Sequence, residues 1–84
     1  MNTKRLLTAV VEREGDGYVA TCRELDIVSQ GNTIEEARRN LVETVEGFFE
    51  VASASEIRRR LKTETYVMSI MPKVPANVTA EAAG

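Results

Sequence analysis

Glu24 and Asp26 stand two residues apart in a short connection, where a pair of carboxylates could serve a hard cation. Oxygen sites for such cations recruit more ligands than two, so the pair reads more simply as solvated loop carboxylates. Cys22 is the single cysteine, and the chain has no histidine. A thiol nucleophile needs a neighbouring base, and the usual neutral-pH acid–base residue is missing. Cys22 therefore reads as a small buried hydrophobe. Arg58, Arg59, Arg60 and Lys62 form the one basic cluster. Nucleic-acid recognition would need phosphate contacts together with stacking or groove-reading residues, and only Tyr66 lies nearby. A solvated helix face, or one turned to an acidic partner, fits the cluster better; weak RNA binding is the alternative. No phosphate-binding loop, dinucleotide fingerprint or metal-ligand spacing occurs. The expectation is a protein that is not an enzyme, with no catalytic residue, cofactor or metal.

The elements that would hold these residues divide at Ser29–Ala37. Thr33 followed by Glu36 is a capping box, the threonine hydroxyl accepting from an early helical N–H and the glutamate reaching back to the threonine amide. Gly31 suits a backbone leaving a strand in a conformation costly for other residues. Before this junction the pattern is of strands: Lys4–Glu14, then a Gly15-Asp16-Gly17 turn, then Tyr18–Arg23, then Ile27–Gln30. The first of them is apolar on both alternating faces, Leu6, Thr8 and Val10 against Leu7, Ala9 and Val11. Such a strand belongs inside a covered sheet. One helix covers one face, so a second copy of the chain is the simplest cover for the other.

After the junction the period becomes helical, with Ile34, Ala37, Leu41, Val45, Phe48, Phe49 and Ala52 in one stripe. Gly47 weakens that helix, and a close approach to the sheet is the expected reason. Ser53 with Glu56 is a second cap, introducing a short helix anchored by Ile57 and Leu61. Thr65–Met71 alternates Tyr66, Met68 and Ile70 against Val67, Ser69 and Met71, a fourth strand ended by Pro72. The predicted fold class is α+β, two layers in the order β-β-β-α-β. A right-handed crossover places strand four beside strand one, giving a mixed sheet of order 3-2-1-4 with a short extra helix before the last strand.

Length and composition set the frame. Eighty-four residues make one small domain with a modest core, expected over residues 1–72, with a C-terminal tail over 73–84 that is partly disordered. Hydrophobic residues at 43% and charged ones at 29% are ordinary for a globular chain, and a net charge of −2 argues against a general nucleic-acid binder. One cysteine fits a reducing compartment, and no signal peptide, lipidation box or long apolar run occurs. A cytoplasmic protein is expected, with neither DNA nor membrane as partner.

Val11–Glu50 resembles the HicB family of antitoxins, especially its short, stand-alone members. The resemblance rests on a glycine-rich turn entering Gly17-Tyr18-Val19-Ala20, then Cys22-Arg23-Glu24-Leu25-Asp26. It continues through Ser29-Gln30-Gly31-Asn32-Thr33-Ile34-Glu35-Glu36-Ala37 and Asn40-Leu41. Arg23 stands where the family often has proline. Within this pattern Gly17, Tyr18, Leu25, Gln30, Gly31, Thr33, Glu36 and Ala37 read as mainly structural. Membership would imply a partial RNase H-like fold and a type II toxin–antitoxin role, masking a small HicA-type mRNA-cleaving toxin. Longer members carry a C-terminal DNA-binding domain, for which this chain leaves no room, so operator binding does not transfer. The fold likeness implies no nuclease activity, since strand one offers only Glu12 and Glu14 near its end and strand four offers no carboxylate. A weakly acidic surface would steer a basic toxin, with Glu24, Asp26, Glu43 and Glu46 as the candidate partner-binding residues. The competing expectation is a homo-oligomeric structural module, a homodimer or larger, with no toxin partner.

Overall fold

A two-residue turn starts the sheet. Gly15, at φ +60°, and Asp16 reverse the backbone between β1 (Ala9–Glu14) and β2 (Gly17–Cys22), with Glu14 opposite Gly17 and Ala9 opposite Cys22. Glycine takes this left-handed conformation without the Cβ clash that other residues meet. The computed structural model describes residues 5–62 and 64–78. A longer, four-residue turn, Arg23–Asp26, leads into β3 (Ile27–Gly31), which pairs antiparallel with β2 so that Cys22 faces Ile27 and Tyr18 faces Gly31. Asp26 closes that turn at φ 57°, its N–H donating to the Cys22 carbonyl at 2.8 Å.

Two helices follow. The first, α1 (Ile34–Val51), crosses one face of the sheet, and its stripe supplies the buried Ala37, Leu41 and Val45. These meet Ala20 and Cys22 from β2 and Leu25 from the turn, with Val11, Ile27, Phe48, Phe49 and Leu61 packed around them. Ile34, at the head of the stripe, is exposed. The second, α2 (Ala54–Leu61), starts at the Ser53 cap, whose hydroxyl accepts from the Glu56 N–H at 3.1 Å.

The α+β class and the first four elements follow the expected order, but the sheet departs from it. It has three antiparallel strands in the order β1-β2-β3 among the described residues, so the expected mixed order 3-2-1-4 is not formed. Thr65–Met71, expected as strand four, belongs to no strand, and the chain from Tyr66 to Val78 is exposed. The period-two pattern gives this segment the capacity to be a strand. Pairing requires a neighbour at the open edge of β1, and the segment does not lie there. The two-faced first strand is thereby an edge strand and not an interior one. It also begins at Ala9, with Leu6 97% exposed, while Lys4 lies outside the described residues. The expected tail falls partly outside them as well, from residue 79 onward.

Candidate partner-binding surface

The most constrained part of the molecule is the passage from β3 into α1. The Thr33 hydroxyl accepts from the Glu36 N–H at 3.0 Å, satisfying one of the donors that a helix start leaves free. The Glu36 carboxylate reaches back one residue further than expected, accepting from the Asn32 N–H at 2.6 Å and not from the threonine amide. Asn40, two turns into the helix, donates to the Gln30 carbonyl at 2.8 Å and ties α1 to the end of β3. The two glycines are set by proximity. A Cβ on Gly31 would stand 2.5 Å from the Ala37 nitrogen, and one on Gly17 would stand 2.8 Å from the Gly31 carbonyl oxygen. Gly17, Gly31, Thr33, Glu36 and Ala37 thus form one packing unit, and Tyr18 and Gln30 line the shallow hollow beside it, about 280 Å3 in volume. Gly47 is different. No atom lies within 4 Å of where its Cβ would stand, so close approach to the sheet does not explain it.

The four candidate acidic residues separate into two kinds. Glu24 is structural: its carboxylate accepts from the Thr8 N–H at 2.9 Å and from the Thr8 hydroxyl at 2.8 Å, and the Cys22 thiol lies 3.7 Å away. Burial pushes its pKa upward, but the Thr8 amide and hydroxyl outweigh that and hold the carboxyl below its ordinary value. The same neighbourhood raises the Cys22 thiol, through burial first and through the adjacent Glu24 charge. A thiol pushed upward is less reactive, in keeping with a side chain 2% exposed in the core. Leu25, which lies between the two loop carboxylates, is fully buried. It is drawn in by the turn that Glu24 and Asp26 shape around it.

Asp26, Glu43 and Glu46 are exposed. Glu43 and Glu46 sit one turn apart on α1, and Glu50 follows one turn later, so the outer side of the helix carries an acidic stripe. The structure does not join Glu24 to that stripe.

Sequence reasoning missed Arg60. Its Nη1 donates to the Leu25 carbonyl at 2.6 Å, its Nε meets the Glu56 carboxylate at 2.9 Å, and its guanidinium lies 5.0 Å over the Phe48 ring. Arg59 also bonds Glu56. The Arg60 contact, followed by Arg59, holds the Glu56 carboxyl below its ordinary value. Arg60 is therefore committed to holding α2 on the β2–β3 turn, while Arg59 is paired within α2. The available signal was the spacing of Glu56 and Arg60, one helical turn apart.

Between β1 and α1 the surface is open. Leu6, Ala9, Leu41, Val42, Val45 and Phe49 line an open, mostly apolar groove of about 1160 Å3, together with the charged Arg5, Arg38, Glu46 and Glu50. Among the described residues no group of three or more His, Cys, Asp or Glu side chains could hold a metal ion, and no helix is long and apolar enough to cross a membrane. No family model, curated protein or solved structure matches the chain.

Proposed function

We propose that the chain is a HicB-like antitoxin module of a type II system, which neutralises a HicA-type mRNA-cleaving toxin by covering its active site. The carrying observation is that five residues of the resemblance meet in one place. Gly17, Gly31, Thr33, Glu36 and Ala37 interlock within van der Waals distance, so the motif describes one packing unit and not scattered coincidences. On this reading the fold is a partial RNase H-like one, with Thr65–Met71 as the fourth strand of a 3-2-1-4 sheet once it is paired. The toxin-facing residues are the exposed Asp26, Glu43 and Glu46, whose charge attracts a basic RNA-cleaving protein. Glu24 supports them through the Thr8 contact and does not face the partner.

The test is co-expression with the small basic protein encoded in the neighbouring reading frame, followed by co-purification and an RNA-cleavage assay. The expected outcome is a stable complex in which cleavage is suppressed. The double variant Glu43→Lys, Glu46→Lys weakens the complex about tenfold or more at low salt and less at high salt. Free cleavage in the presence of excess chain contradicts the proposal.

A second reading, a homo-oligomeric module acting without a toxin, draws on the exposed apolar segment at Tyr66–Met71. It predicts self-association with no captured basic partner. RNA binding by Arg58–Lys62 is the weaker alternative, because Arg59 and Arg60 are already paired with Glu56.

A further inference from the structure

We infer that Thr65–Met71 of one copy adds as a strand to the β1 edge of a second copy, filling that copy's groove between β1 and α1. This does not rest on the toxin reading. Two unsatisfied features of the same chain are complementary. The first is the segment itself: Tyr66, Val67, Met68, Ile70 and Met71 are all exposed, Ile70 at 79% and Met71 at 98%, and Pro72 bars its continuation. An apolar, alternating run of this kind is a strand that lacks a neighbour.

The second feature is the edge. The tight Glu14–Gly17 turn, and the Arg23 N–H donating to the Thr8 carbonyl at 3.2 Å, set the parity of the β1–β2 ladder. Thr8, Val10, Glu12 and Glu14 face β2 with their backbone groups. The N–H and C=O groups of Ala9, Val11 and Arg13 consequently point to the open side. Unpaired groups along an edge are a template for another strand. β1 has six residues and the segment seven, about 20 Å against 23 Å of extended chain, so their lengths match.

Side-chain alternation fixes which way the segment lies. Tyr66, Met68 and Ile70 form a wholly apolar row and enter the groove beside Ala9, Val42 and Phe49, where the small Ala9 leaves room. Val67, Ser69 and Met71 fall on the opposite face, next to Thr8, Val10 and their cross-strand neighbours Thr21 and Val28, a surface of the same mixed character. The occupant is a second copy because the segment does not turn back onto its own β1, although α2 ends close to the start of that strand, with Arg5 donating to the Leu61 carbonyl at 3.4 Å. From there the segment runs out, exposed on both faces, leaving its own groove open. Reciprocal exchange satisfies both edges and both segments of a two-fold pair.

The experiment uses the full chain. Light scattering after gel filtration reads the molar mass, and isotope-filtered NOEs on a mixed labelled and unlabelled sample read which contacts cross between copies. The expected result is twice the 9.3 kDa chain mass, with intermolecular NOEs from Tyr66–Ile70 to Ala9 and Val11. Ile70→Asp, at an exposed position, halves that mass and leaves the helical circular dichroism unchanged. Ala9→Pro, which removes an outward N–H and leaves the β2 ladder intact, does the same. A monomer overturns the inference, whether its segment is free or folded back on its own β1. A dimer whose segment contacts are all intramolecular overturns it, and so does one that survives Ile70→Asp.

Discussion

The two sides of the β-sheet are built on opposite principles. At β3 the sheet is closed. The strand hands directly into α1, Gly31 leaves no room for a methyl group, and Thr33, Glu36 and Asn40 satisfy the backbone groups that the junction would otherwise strand. At β1 it is open. The outward backbone groups of the edge have no neighbour among the described residues, the groove toward α1 exposes Leu6 and Val42, and an apolar segment elsewhere in the same chain is equally bare. The lesson is a division of labour: the β3 side is closed by local packing, and the β1 side leaves apolar surface and backbone groups open.

Substitutions on the closed side should therefore unfold the protein, and those on the open side should alter only its company. Leu25→Ala is expected to cost most, about 3–4 kcal/mol by urea denaturation, since the side chain is fully buried and the turn around it is fixed by Glu24 and Arg60. Gly31→Ala comes next, at about 2–3 kcal/mol, because a methyl group 2.5 Å from the Ala37 nitrogen forces backbone apart. A Gly31→Ala chain with unchanged urea midpoint would dissolve the contrast between the two sides.

Glu24→Gln sharpens it through pH. The folded carboxyl is held below its ordinary value of 4.5, so its contribution is present above that pH and is lost as the pH falls through the folded value. The variant should be less stable than the parent by about 1 kcal/mol at neutral pH, and the two should converge in acid. Smallest is Gly47→Ala, with open space around the position on a helix, expected to raise stability by about 0.5–1 kcal/mol. A loss there would mean that the outer face of α1 is already covered.

What the sequence could reveal follows from how local each determinant is. The Thr33–Glu36 cap, the Gly15–Asp16 turn and the α1 stripe depend on residues a few positions apart, and each is where the pattern placed it. The depth at which Leu25 is buried is not legible locally, because it depends on a left-handed turn at Asp26 and on an arginine 35 residues away. Glu24 looked like a surface carboxylate because its partner, Thr8, lies 16 residues away, just before β1. Thr65–Met71 has the alternation of a strand, but alternation specifies a strand's faces and says nothing about whose edge it joins. Of the candidate acidic residues, Asp26, Glu43 and Glu46 are exposed as a partner surface requires, while Glu24 holds the fold.

The central claim, that the β1 edge is built to receive an apolar strand, is tested most directly by amide hydrogen exchange at Ala9, Val11 and Arg13. In the full chain these outward amides should exchange slowly, and in the Ile70→Asp variant they should exchange at least about tenfold faster, while Val10 and Glu12 keep their protection. Equal and rapid exchange of the three amides in both proteins would contradict the account.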